Sequence, residues 1–352
     1  MPLILNRALY FLNDFKFYLL FLFLSLLTGL ILLLLKRNRL ILLLVAIGYT
    51  LVAVFCIGEI YFRYVYDQSD GLGFIKVNRK WHQRHVVFNN YFRRDRQFIL
   101  DKSPGEFRIG VIGDSTTFGA GIEDPATRFS DLLETQLRAD GYNVSVYNLG
   151  VSGTGSEDQA KDFANFKHLN FDLLVWQYFL NDVNPPDSGE GNRIIITNKD
   201  KFIPPPVIKW LTDRSFLADW LYWRLSAKYN RTFTDLLAAD LNAYADTAIL
   251  SRHQTVIKKF LAQTKANHLP VVVILFPFLY QTPLIGKADV VYDQMLDFFA
   301  SQPVAAAINL KSILRVYPAR QLMASRFDSH PNELVHSLAA DQLYQVVKAL
   351  LP

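Results

Sequence analysis

Apolar runs of strand length recur through the C-terminal two-thirds of this chain, and several stop dead in glycine, asparagine or aspartate. No other feature limits the possible folds as much. The first run, from Phe107, ends in Gly113-Asp114-Ser115. The second, Tyr142–Asn148, leads into Gly150-Val151-Ser152-Gly153, and the third, Phe171–Phe179, stops at Asn181-Asp182. A fourth lies between Pro270 and Phe278. The fifth, Val304–Leu310, is followed after a loop by Asp328-Ser329-His330-Pro331-Asn332. Helical patterns fill most gaps, at Arg128–Ala139, Ser156–His168, Ala288–Ser301 and Glu333–Leu351. Strands alternating with helices predict an α/β fold, a three-layer doubly wound parallel sheet. In the flavodoxin-like order 2-1-3-4-5, strands one and three meet at the switch point, and ligands gather beyond the strands' carboxyl ends. Ser115 and Asn181 would then face each other across that crevice.

At these positions the chain resembles the SGNH/GDSL hydrolases, from about Phe107 to the C-terminus. The family carries serine in a G-D-S block, here Gly113-Asp114-Ser115, and a glycine in a second block, here Gly153. Its third block, G-x-N-D, matches at Asn181-Asp182, with Phe179 where the family has glycine. Its last, D-x-x-H, matches at Asp328 and His330, two residues apart rather than three. The resemblance implies a serine nucleophile, Ser115, whose proton is taken by His330, with Asp328 orienting the imidazole. The tetrahedral oxyanion would be received by the Ser115 and Gly153 backbone N–H groups and the Asn181 side-chain amide. Each residue also has a plain structural reading. Gly153 suits a turn, Asn181 an Asx turn, Asp328 a cap on a turn or on the last helix, and Ser115 a helix N-cap. Pro331 and Asn332 suit a helix start, and His336 suits packing. In an extended segment residues two apart project to the same side, so Asp328 can still reach His330.

The N-terminal region obeys different rules. Residues 17–35 and 40–58 are each nineteen residues without a charge, near the ~20 that cross a ~30 Å hydrocarbon core. Only Lys36-Arg37-Asn38-Arg39 separates them, so residues 1–62 are expected to form a transmembrane hairpin. A cleaved signal peptide fits poorly, because a second span follows. Three basic residues in so short a loop place it in the cytoplasm by the positive-inside rule. Arg7, Lys16, Arg63, Lys76, Arg79 and Lys80 on the other side pull the opposite way. Membrane-tethered relatives of the family usually act outside the cytoplasm on cell-envelope glycans or lipids. That resemblance favours an inner-membrane protein with an extracytoplasmic, periplasmic domain. Glu59 and Arg63 would lie at the membrane boundary, within reach of headgroups.

Residues 63–104 read as a polar connector that packs through Trp81, Phe88, Tyr91, Phe92 and Phe98, and 105–352 as one catalytic domain. Its alternation is interrupted over 183–251 by Pro185-Pro186, Pro204-Pro205-Pro206 and an aromatic stretch carrying Trp210, Phe216, Trp220, Tyr222 and Trp223. This insertion is expected to cap the crevice, its aromatics packing the cap or touching substrate or membrane. The basic run over 76–108 reads as a solvated face, a contact for anionic headgroups or, more sharply, a site for an acidic glycan. The single cysteine, Cys56, lies in the second apolar span, so the globular part needs no disulfide or thiol chemistry. A net charge of +5 is mild. No nucleic-acid motif, phosphate loop or metal-ligand spacing is present, and neither metal nor cofactor is expected. The resulting reading is a membrane-anchored serine esterase that removes acyl groups, chiefly acetyl, from an envelope glycan or lipid. The alternatives are an O-acyltransferase working through the same acyl-enzyme and a non-catalytic glycan-binding scaffold in polysaccharide export. The residues specify neither the acyl chain nor the oligomeric state.

Overall fold

The computed structural model describes residues 19–20, 22–32, 34, 39–183 and 203–352. Part of the first apolar run, the basic loop 36–38 and the first part of the insertion, 184–202, lie outside the described residues. The chain divides into two compact units, Met1–Asp67 with Pro205–Tyr222, and Gln68–Pro204 with Trp223–Pro352.

The larger unit is the predicted doubly wound sheet. Its strands are β1 (Phe107–Ile112), β2 (Val144–Asn148), β3 (Leu173–Tyr178), β4 (Val271–Leu275) and β5 (Ala306–Asn309). All neighbours are parallel, in the order β2-β1-β3-β4-β5. Both faces are covered, so the strands are apolar throughout rather than alternating. On β3, Leu173 and Val175 face one core while Leu174 and Trp176 face the other, as the two-residue period of a strand requires. A short antiparallel hairpin, β6 (Met323–Ser325) with β7 (Asp328–Pro331), follows the last parallel strand. The extended segment expected around Asp328 and His330 is thus a paired strand.

Helix α1 (Arg39–Ile60) precedes the sheet, as does α2 (Val77–His85) of the connector. The four-residue α3 (Ser115–Phe118) directly follows β1. Helices α4 (Phe129–Ala139) and α5 (Ser156–Phe163) fill the next two crossovers. Within and after the insertion come α6 (Pro206–Arg214), α7 (Phe216–Leu225), α8 (Ala227–Ala245) and α9 (Thr247–Ala266). Helix α10 (Ile285–Ala300), the short α11 (Lys311–Leu314) and α12 (Glu333–Lys348) complete the chain. One face of the sheet packs on α4 and α12, through Phe129, Leu133, Leu137, Val335, Ala339 and Leu343. The other packs on α5, α8, α9 and α10, through residues such as Phe163, Leu237, Phe260 and Phe299.

The basic run over 76–108 departs from the solvated reading at three arginines. Arg93, Arg94 and Arg108 are buried, not solvated. Arg94 donates to the carbonyls of His85, Gly119 and Ile122, and Arg108 to those of Leu100, Asp101 and Leu169. A guanidinium carries five donors in a fixed fork and so can satisfy several loop carbonyls at once. These arginines fasten irregular backbone to the catalytic core, and their burial removes them from any headgroup contact.

In the smaller unit, the helical stretch Arg39–Val65 is, among the described residues, the one long and apolar enough by length and composition to cross a membrane. A shorter apolar helix spans Leu22–Leu32. Glu59 does not reach outward. Its carboxylate is buried and accepts from the Ser215 hydroxyl (2.7 Å), the Phe216 and Leu217 amides (3.1 and 3.0 Å) and Arg63 Nε (2.9 Å). It therefore caps the first turn of α7, where four amides lack intrahelical partners.

Candidate functional site

The first functional segment is the turn after β1. Asp114 caps α3, its carboxylate accepting from the Thr116 amide at 2.8 Å. Both sheet neighbours of β1 brace this turn. From β3, Gln177 Oε1 accepts from the Asp114 amide (3.2 Å) and the Thr117 hydroxyl (2.9 Å). From the end of β2, Asn148 Nδ2 donates to the Thr117 carbonyl (2.6 Å) and to Ser130 Oγ (2.8 Å). Ser115, first residue of α3, is thus held from both sides and stays partly exposed.

The β6–β7 hairpin delivers the other two groups. Asp328 and His330 lie two apart on β7, so both project to the same side. His330 Nδ1 meets Asp328 Oδ1 at 2.5 Å, and His330 Nε2 meets Ser115 Oγ at 2.8 Å. The same carboxylate oxygen accepts the His330 backbone amide at 3.1 Å. An alternative partner for the serine hydroxyl, Asp114 Oδ2, is at 3.5 Å, the weak limit for an O–H···O bond. The shortened Asp–His spacing is absorbed by the extended backbone. Asp328 does not cap α12. Asn332 does, accepting from the Val335 amide at 3.3 Å.

The electrostatics suit a base. Burial alone would lower the pKa of His330, but the Asp328 charge and hydrogen bond, with Asp114 and Asp70 further off, outweigh it and raise the imidazole above its ordinary value. For Asp328, burial works to raise the pKa. The His330 charge, the His330 hydrogen bonds and the Ser69 hydroxyl reverse that and hold the carboxyl below its ordinary value. Asp114 is fully buried, and burial pushes its pKa up against the Thr116 amide bond.

Ser69 belongs to a part of the site that the sequence reading missed. The connector passes directly behind the Asp–His pair. The Gly71 amide donates to the Phe327 carbonyl at 3.0 Å. A Cβ on Gly71 would lie 3.2 Å from Asp328 Oδ1 and 3.6 Å from His330 Nδ1. Asp70 locks this bend by accepting from the Leu72 (2.9 Å) and Ile75 (2.7 Å) amides. No motif signals the role, because it depends on a fold contact across some 260 residues. The nearest sequence sign is the turn-forming Ser69-Asp70-Gly71 itself.

Gly153 lies in the loop after β2 and Asn181 in the helical turn Leu180–Val183 after β3. Since β2 and β3 flank β1, both segments leave the sheet beside the Ser115 turn. Gly153 has φ +79°, which disfavours any side chain, although a Cβ there would meet no protein atom. Close approach instead requires Gly150, where a Cβ would lie 2.4 Å from the Phe118 amide nitrogen. Asp182 is buried and accepts from Gln159 Nε2 (3.0 Å) and the Phe179 amide (3.2 Å). Burial, with Asp114 nearby, raises its pKa well above the ordinary value. Phe179, in the family's glycine position, stacks on Phe278 at 6.2 Å and packs against both cores. His336 packs, as expected, against Phe129, and its Nδ1 also accepts the Phe129 amide at 3.1 Å.

A family model described as GDSL-like lipase/acylhydrolase matches residues 111–338. Among curated proteins none matches the sequence. Solved structures similar to the chain include TesA, at 16% identity, covering 69% of this chain and 99% of that one with a TM-score of 0.40. The psychrotrophic esterase EstA from Pseudoalteromonas sp. is 13% identical, with coverages of 69% and 98% and a TM-score of 0.38. Axe2, an acetylxylan esterase from Geobacillus stearothermophilus, is 13% identical, with coverages of 68% and 94% and a TM-score of 0.42.

Proposed function

The chain belongs to the GDSL-like lipase/acylhydrolase family and is an ester-bond hydrolase, and from that premise we propose a membrane-anchored serine esterase acting through Ser115, His330 and Asp328. The unbroken chain of contacts from Asp328 through His330 to Ser115 Oγ, at 2.5 and 2.8 Å, carries this reading. Ser115 Oγ attacks the acyl carbonyl carbon while His330 Nε2 takes its proton. The backbone N–H groups of Ser115 and Gly153 and the Asn181 amide receive the oxyanion. Collapse of the tetrahedral adduct breaks the ester C–O bond, and the alcohol leaves with the proton held on His330. Water then attacks the acyl-enzyme, again giving its proton to His330, and the free acid departs as Ser115 regains its hydrogen. Asp328, buried and charged, stabilises the imidazolium in both halves of the cycle.

The substrate in this reading is an acylated, chiefly acetylated, glycan or lipid of the cell envelope. The apolar stretch Arg39–Val65 supports the anchor. Three cations at positions 36, 37 and 39 support a cytoplasmic turn and an extracytoplasmic domain. Labelling with a fluorophosphonate probe tests the nucleophile. The wild type should label and hydrolyse p-nitrophenyl acetate, and folded Ser115→Ala should do neither. Turnover by folded Ser115→Ala would end the serine mechanism. Alkaline phosphatase and green fluorescent protein fused in turn after Pro352 test the orientation. A silent phosphatase with a bright fluorescent fusion would place the domain in the cytoplasm and remove the envelope substrate.

A further inference from the structure

In the smaller unit, α6 turns an apolar stripe outward. Val207, Trp210 and Leu211 are 81%, 58% and 43% exposed. Their i, i+3, i+4 spacing puts them on one face. Arg214 continues the stripe, its guanidinium 4.6 Å from the Trp210 ring centroid. Thr212, elsewhere around the helix, is 4% exposed. Lys209 and Asp213 pair at 2.6 Å on a third side. A helix serving only a protein core would bury the stripe and expose the threonine.

The level of α6 along α1 is fixed. Leu40–Gly58 rises about 28 Å at ~1.5 Å per residue, close to the ~30 Å hydrocarbon thickness. Glu59 and Arg63 therefore emerge at its edge. These two residues hold the α6–α7 elbow, Glu59 through Ser215, Phe216 and Leu217, and Arg63 by donating to the Arg214 carbonyl at 2.8 Å. Leu217 packs so closely on Gly58 that a Cβ there would stand 2.8 Å from it. Helix α6 is nine residues long, about 13 Å, so all of it stays near that edge.

We propose that α6 is an interfacial helix that seats Val207, Trp210 and Leu211 in the headgroup–acyl boundary of the bilayer crossed by α1. Tryptophan favours that depth, and an arginine beside it reaches lipid phosphates. The proposal rests on α1 spanning a membrane, and the test separates the two. Full-length protein carrying Cys56→Ala is reconstituted in phosphatidylethanolamine–phosphatidylglycerol vesicles. A nitroxide is then placed singly through Val207→Cys, Leu211→Cys, Lys209→Cys, Asp213→Cys or Leu51→Cys. Collision rates with oxygen, which partitions into lipid, and with a water-soluble nickel chelate are compared. Labels at 207 and 211 should favour oxygen, those at 209 and 213 nickel, and that at 51 oxygen most strongly. Brominated lipids should quench the wild type more than Trp210→Phe. An oxygen-dominated label at 51 with nickel-dominated labels at 207 and 211 would overturn the interfacial helix alone. A nickel-dominated label at 51 would remove the spanning helix. Spin–spin broadening at 207 and 211 would assign the stripe to a second copy of the chain and overturn the proposal.

Discussion

Replacing Asp328 with asparagine probes the site most directly, because the structure sets how large the loss should be. A single carboxylate oxygen, Oδ1, accepts both the His330 ring nitrogen at 2.5 Å and the His330 backbone amide at 3.1 Å. An asparagine that keeps its carbonyl oxygen in that place preserves both bonds and the imidazole tautomer. What disappears is the negative charge beside the imidazolium formed in the transition state. Unit charges ~4 Å apart interact by about 4 kcal/mol at an effective dielectric near 20. At ~1.4 kcal/mol per decade, kcat should fall about 10³-fold. The pH profile should move too. With His330 as the base, the Asp328 charge that raises its pKa should hold the acid limb of kcat/KM above the ordinary imidazole range in the wild type. Below that limb the imidazole is protonated and cannot serve as a base, so the rate falls as pH falls. Without the Asp328 charge, burial goes largely unopposed, and the limb should shift to lower pH. The assay is p-nitrophenyl acetate hydrolysis across pH, with circular dichroism as the folding check. A folded Asp328→Asn enzyme within tenfold of wild type, its acid limb unmoved, would refute the role of this carboxylate.

Three further outcomes are expected. Asn181→Ala should lower kcat by ~10²–10³ with little change in KM, as for loss of one oxyanion donor; an effect on KM alone would take Asn181 out of that role. Gly71→Val should force methyl groups toward Asp328 Oδ1, only 3.2 Å from the Cβ position. Displacing the pair by about an ångström costs ~10² in rate, so unchanged kcat in a folded variant would contradict the tight packing behind the site. Burial lowers the pKa of His253 from 6.5 to about 4, so its neutral form supports the fold above pH 6.5 and that support drains away as pH falls toward 4. The stability advantage of wild type over His253→Gln in urea titrations should therefore shrink by up to about 3 kcal/mol across that window; a constant difference would rule this out.

The catalytic fold was legible because its strands are buried on both faces and bounded by turn residues, so each announces itself locally. The flavodoxin-like order, the helices between strands and the placing of Ser115, Gly153 and Asn181 at strand ends follow from that pattern. The Asp328–His330 pair was legible in the same way, through the two-residue period of an extended segment, although pairing with Met323–Ser325 was needed to hold it extended. The apolar run at 40–58 likewise declares its length and composition without help from neighbours. What stayed hidden depends on contacts between segments far apart in the chain. Arg94 and Arg108 look solvated in sequence because charge says nothing about which carbonyls a guanidinium will meet. Glu59 looks like a headgroup contact until the α7 amides, more than 150 residues away, close around it. Ser69 and Gly71 carry no motif, yet they back the Asp328–His330 pair. Local periodicity is written into neighbouring residues. The partners of buried polar groups are chosen only when the chain folds, since a buried donor or acceptor must find its complement wherever packing brings one.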